Sequence, residues 1–267
     1  MPEASSQTPL LEMRGISKRF GAVQALSNVN FAAYSGEVVG LVGDNGAGKS
    51  TLIKCVAGIH PIDDGEIWFE GQKVNIQNPK DATDLGIQTV YQDLALCDNL
   101  DVVGNLFLGR EQINRLPLDE VSMEKRSLEV LRSLSIAIPS VRTVIASLSG
   151  GQRQSVAISR TVMWNSKLVI LDEPTAALGV VQSHQVLELI RNLRRQGLAV
   201  IVISHNLADI FEVVDRICVL YLGRNNGVFD VHGTSQEKIV SAITGAEFGT
   251  ANQGAAQGRT KKEGSSK

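Results

Sequence analysis

The chain has 267 residues, 43% of them hydrophobic and 20% charged, with a net charge of −2, enough for one large α/β domain or two small ones. That balance offers no basic stripe for a nucleic-acid partner, and no apolar run nears the ~18–20 residues of a membrane-spanning helix. Cys55, Cys97 and Cys218 are scattered, as are the four histidines, so neither a metal cluster nor a disulfide framework is expected and a reducing cytosol is the natural setting.

The opening MPEASSQTPL lacks the basic-then-apolar layout of a signal peptide, and residues 1–9 read as a flexible start. LLEMRGISKRF and SNVNFAAYSGE follow as antiparallel strands, with Ser35-Gly36 as a turn. EVVGLVG, residues 37–43, is a short apolar run of the kind buried on both faces. A glycine-rich loop leads into the helical spacing of KSTLIKCVAGI, and GEIWFEGQKV reads as a hairpin. Asn78 ahead of Pro79 is a helix start, and GIQTVYQ, 86–92, is a strand.

From 93 to 165 the chain turns helix-rich, with helices predicted near 99–109, 118–136 and 149–164. LVILDEP returns to a buried strand, 181–196 is helical and closed by Gly197, and LAVIVIS is a further strand. Thr234-Ser235-Gln236-Glu237 reads as a capping box for the last helix. The expected layout is an α/β nucleotide-binding core over 10–92 and 166–247 with an antiparallel β subdomain, a helical subdomain over 93–165, and a disordered tail over 248–267.

The strongest local motif is GDNGAGKST, Gly43 to Thr51, which fits G-x-x-x-x-G-K-[ST] between a strand and a helix. In that reading Gly43, Asp44, Asn45, Gly46, Ala47 and Gly48 present backbone N–H groups to phosphates, Lys49 reaches the β- and γ-phosphates, and Ser50 beside Thr51 ligates Mg²⁺. Asp172 and Glu173 end the strand of LVILDEP, where ligands gather in open α/β sheets. Asp172 suits a Mg²⁺ contact through water, and Glu173 suits a base that polarises the attacking water. Gln92 and His205 end two further strands and taken alone read as polar loop residues, and Phe20 as core.

LSGGQRQ raises a separate question. Ser149 and Gln152 make a capping box, yet Gly150 and Gly151 stand between them, each costing a helix roughly 1 kcal/mol against alanine. Glycines there leave backbone N–H groups open to a second anion.

Together the P-loop, LSGGQRQ, LVILDEP and ISH resemble the ATP-binding subunit of ABC transporters over residues 10–245. The resemblance implies a P-loop NTPase fold of mixed sheet, antiparallel β subdomain and helical subdomain. It implies that Phe20 stacks on adenine, that Gln92 meets Mg²⁺ and the attacking water, and that His205 meets the γ-phosphate. Ser149, Gly150, Gly151 and Gln152 would contact the γ-phosphate held by a second ATP-binding subunit, expected as a homodimer. GDNGAGKS, TVYQDLALCDNLDVVGNLFLGRE and EPTAALGV are similar to monosaccharide importers of the ribose, xylose and fructose kind, nearest to single-domain fructose-type ATPases. Such a subunit sits on the cytoplasmic face of the bacterial inner membrane, against transmembrane permease subunits, with a periplasmic sugar-binding protein as an indirect partner. Gly179 departs from the family, where many members carry aspartate at that point. A soluble ABC-type assembly factor and a P-loop kinase or GTPase remain the competing readings.

Overall fold

The computed structural model describes residues 8–112 and 118–246, so most of the expected N-terminal segment and all of the expected tail lie outside it. Two sheets carry the architecture. The smaller is antiparallel, in the order β2-β1-β4-β5, from β1 (Leu11–Phe20), β2 (Val23–Ala33), β4 (Asp64–Phe69) and β5 (Gln72–Val74).

The larger sheet runs β10-β9-β3-β8-β7-β6. Its members are β3 (Val38–Val42), β6 (Ile87–Val90), β7 (Leu168–Asp172), β8 (Ala199–Ile203), β9 (Arg216–Tyr221) and β10 (Arg224–Asp230). All neighbours are parallel except β10 against β9. Strands with helices on both faces lose the polar/apolar alternation, and β3 and β8 are buried at every residue. Their side chains still alternate between two cores. Ile170 and Ile201 face a cluster with Met13, Phe31 and Leu52, under the smaller sheet and α1 (Lys49–Val56). Val169, Val200 and Val202 face Val186 and Ile190 of α6 (Val180–Arg195), Ile210 of α7 (Leu207–Val213) and Ile239 of α8 (Gln236–Thr244).

Only α2 (Pro79–Asp84) lies between β5 and β6, started by the Asn78 capping box that Asp81 completes. Between β6 and β7 the chain is helical: α3 (Val102–Phe107), α4 (Glu120–Ser133) and α5 (Gly150–Val162). These three share their own core of Val103, Leu106, Phe107, Met123, Leu131 and Val156. The first two start later than the spacing predicts, because Asp101 and Asp119 cap them.

The last helix also starts a residue later than expected. Ser235, not Thr234, is its N-cap and accepts the N–H of Lys238, while the Thr234 hydroxyl is buried without a partner. The strands β9 and β10 and the helix α7 had no counterpart among the predicted elements.

Candidate functional site

Four loops meet at the carboxyl ends of neighbouring parallel strands, which lie in the order β3-β8-β7-β6. The P-loop leaves β3, His205 follows β8, Asp172 and Glu173 close β7, and Gln92 stands exposed two residues beyond β6. Sheet order alone thus brings together residues from four distant stretches, where an open α/β sheet gathers its ligand.

In the P-loop, Lys49 Nζ donates to the carbonyls of Gly43 and Asp44 at 2.7 and 3.0 Å. Burial depresses its pKa, against the opposing pull of Glu173, Asp44 and Asp172, whose charges lie close enough to act on it. α1 begins at Gly48 with no side-chain cap, unlike the four helices that follow it. Its first-turn N–H groups therefore have no side-chain acceptor, which suits a phosphate. The loop's glycines serve two ends. A Cβ on Gly43 would stand 2.3 Å from the carbonyl oxygen of Leu220, so packing against β9 already demands glycine there. Gly46, at φ 79° with open space around it, faces outward with exposed Asp44 and Asn45, while Ala47 is buried.

Asp172 is held above the ordinary carboxylate range, by burial first and by the charge of Glu173 second. Two crowded carboxylates beside a lysine suit a cation. Among the described residues no three His, Cys, Asp or Glu side chains group to hold a metal by themselves. The donors at hand, the Ser50 hydroxyl, the Gln92 amide and Asp172, fit Mg²⁺, which keeps water and phosphate oxygens as its other ligands.

Phe20 ends β1 with 43% of its surface exposed. Its ring meets that of His60 at 5.0 Å and 71°, and Lys18 Nζ lies 5.5 Å from its centroid. Lys18 is itself buried and paired with Asp63 at 2.6 Å. Lys18 and His60 were not among the predicted site residues. The signal for Lys18 was its place two residues before Phe20, on one face of a strand.

Ser149 caps α5 as expected: its Oγ accepts from Gln152 N at 3.3 Å, and Gln152 Oε1 accepts from Ser149 N at 3.0 Å. The glycines between them have a packing role that the sequence did not show. Cβ atoms there would meet Leu178 Cδ2 at 2.9 Å from Gly150, and Gln182 Cβ at 3.0 Å from Gly151. α5 starts hard against the start of α6. Gly179, its N-cap, has open space around it and no side-chain cap bond.

The sequence profile of the ABC transporter family matches residues 26–176. The chain belongs to that family as an ATP-binding subunit. It is 47% identical to the xylose/arabinose import ATP-binding protein XylG of Sulfolobus acidocaldarius, over 92% of this chain and 98% of that one. It is 44% identical to the fructose import ATP-binding protein FrcA of Rhizobium meliloti, over 91% and 96%. Against the ribose import ATP-binding protein RbsA of Caldanaerobacter subterraneus, identity is 38% over 90% of this chain but 48% of that one. Among solved structures, the ADP conformation of an ABC transporter cassette superposes with a TM-score of 0.77 at 26% identity, covering 89% of this chain and 96% of that one. A dimeric cassette in a post-hydrolysis state with ADP and phosphate gives 0.70 at 26% identity, over 84% and 100%. The subunit is an ATPase of the ABC type, and among its described residues no helix is long and apolar enough to cross a membrane.

Proposed function

We propose that this ATPase powers import of a monosaccharide of the xylose, fructose or ribose class, as a homodimer held peripherally on the cytoplasmic face of the inner membrane against permease subunits. The convergence of Lys49, Asp172, Glu173, Gln92 and His205 at adjacent strand ends carries the catalytic part of the reading. The names of XylG and FrcA, which this chain matches nearly end to end, support the cargo class.

In this reading residues 10–92 and 166–247 bind the nucleotide, and 93–165 form a helical subdomain. Phe20 stacks on adenine; the P-loop amides from Gly43 to Thr51 and the Lys49 amine bind the phosphates. Ser50, Gln92 and Asp172 hold Mg²⁺, which when bound neutralises charge on the phosphate oxygens. Glu173 orients the water that attacks the γ-phosphate and accepts its proton. His205, 2.9 Å from Glu173 through Nδ1, steadies that carboxylate and faces the γ-phosphate. Ser149 to Gln152 close on the nucleotide of the second copy, so that two half-sites make each complete one.

Reconstitution with a cognate permease and binding protein tests the proposal. Sugar uptake should follow ATP hydrolysis and stop in the Glu173→Gln chain; uptake that persists in that variant overturns it.

A further inference from the structure

Arg160 lies in the last turn of α5, the helix that Ser149 caps. Burial depresses its pKa, and among the described residues it makes no ion pair. A desolvated cation needs hydrogen bonds, and Arg160 finds them on two backbone carbonyls, Ala95 at 3.1 Å and Leu94 at 3.3 Å. Those residues belong to the segment that directly follows Gln92. Ala95 stands at φ 48°, a left-handed conformation disfavoured for alanine, so its surroundings must hold it there.

The same segment is fastened at its far end. The buried Asn105 side chain accepts from Cys97 N at 2.7 Å and donates to the carbonyls of Cys97 and Asp101 at 3.0 Å each. Main-chain bonds then join it to the residues that lead into Ser149: Ala146 N to Asp98 O at 3.1 Å, and Ile145 N to Leu100 O at 3.0 Å. Arg153, on the first turn of α5, adds a 3.7 Å contact to Asp98. Residues 94–101 are therefore hydrogen-bonded to α5 and its entry, while Leu94 and Leu96 also pack against the core that holds Val90 at the end of β6.

We propose that Arg160 is a positioning residue that locks the segment after Gln92 to helix α5, so that the Gln92 end and the Ser149 end of the site shift together. This rests on the nucleotide roles proposed for Gln92 and Ser149. A fork donor is required because two adjacent carbonyls must be held at once; lysine can satisfy only one well.

The test is amide hydrogen exchange of residues 145–153 with and without ATP, on the full chain kept dilute enough to be monomeric, with ATP binding measured on the same samples. With Arg160 in place, ATP should change exchange there; with Arg160→Met the response should vanish while ATP still binds, and with Arg160→Lys it should be about half. In the assembled transporter, Arg160→Met should lower kcat roughly tenfold with KM within about threefold. Equal exchange responses in all three chains, or a wild-type kcat in Arg160→Met, overturn the lock. If Arg160→Met does not fold, judged by circular dichroism, the lysine variant decides, and a full response there overturns it. Loss of ATP binding by the unaltered chain would instead overturn the nucleotide site, and the lock with it.

Discussion

The Glu173 carboxylate holds His205 twice: one oxygen accepts the backbone N–H at 3.1 Å and the other lies 2.9 Å from Nδ1. Glu173 does this from a backbone at φ 51°, a conformation that costs a non-glycine residue roughly 1–2 kcal/mol. The strain sits at the residue proposed as the base, where the backbone must turn the carboxylate from the end of β7 toward β8.

Glu173→Gln should cut ATP turnover about 100-fold or more while ATP binding survives. Glu173→Gly should be equally inactive yet melt a few degrees higher than Glu173→Ala, which loses the same bonds to His205 but keeps the strained turn that glycine adopts freely. A calorimetric scan decides the second part, and a lower melting temperature would show that the turn is not strained.

The paired glycines of α5 separate packing from ligand binding. At Gly150 the clashing atom is the tip of Leu178, which can rotate; at Gly151 it is the stem of Gln182. Gly150→Ala should leave the melting temperature of the nucleotide-free chain unchanged or raise it, by up to about 1 kcal/mol of helix propensity. Gly151→Ala should lower it. The reverse order would contradict the close contact between α5 and α6.

Burial pushes the thiols of Cys55 and Cys218 up to about 11, whereas Cys97 is only half-buried. Near pH 8 the two buried thiols are almost wholly protonated, and the thiolate is the reactive form. Iodoacetamide should therefore modify one cysteine per native chain, Cys97, and the other two only after unfolding. Mass spectrometry showing Cys55 labelled at the same rate would contradict the burial.

Phe20 is offered as the base platform, with Lys18 and His60 against its ring. Phe20→Ala should raise KM for ATP by about 5- to 160-fold, the range of a lost base–aromatic stack, with little change in kcat. His60→Ala should do the same more weakly. Steady-state kinetics reads the split, and an unchanged KM in Phe20→Ala would remove the platform.

Much of this was legible from local patterns. The P-loop lies between a fully apolar run and a helical one, so both its motif and its setting are local, and LSGGQRQ carries its cap within four residues. Strands β3, β7 and β8 were legible because burial on both faces leaves uninterrupted apolar stretches. The rest depends on distance in sequence. β9 takes its place by pairing with β3, far back in the chain, and its β10 partner is part-exposed along its length, which weakens the periodic signal. The demand for glycine at 43 comes from Leu220, and that at 151 from Gln182; no window around either glycine contains its neighbour. The grip of Arg160 on Leu94 and Ala95 is of the same kind.

In the proposed function one chain carries two half-sites and completes them with a second copy. Sedimentation of the Glu173→Gln chain with saturating ATP and Mg²⁺ tests it most directly. The expected result is a dimer holding two ATP, and, for the same chain carrying Ser149→Arg, a monomer that still binds ATP. A Glu173→Gln chain that stays monomeric with ATP bound, or a Ser149→Arg chain that loses ATP binding as a monomer, would contradict it.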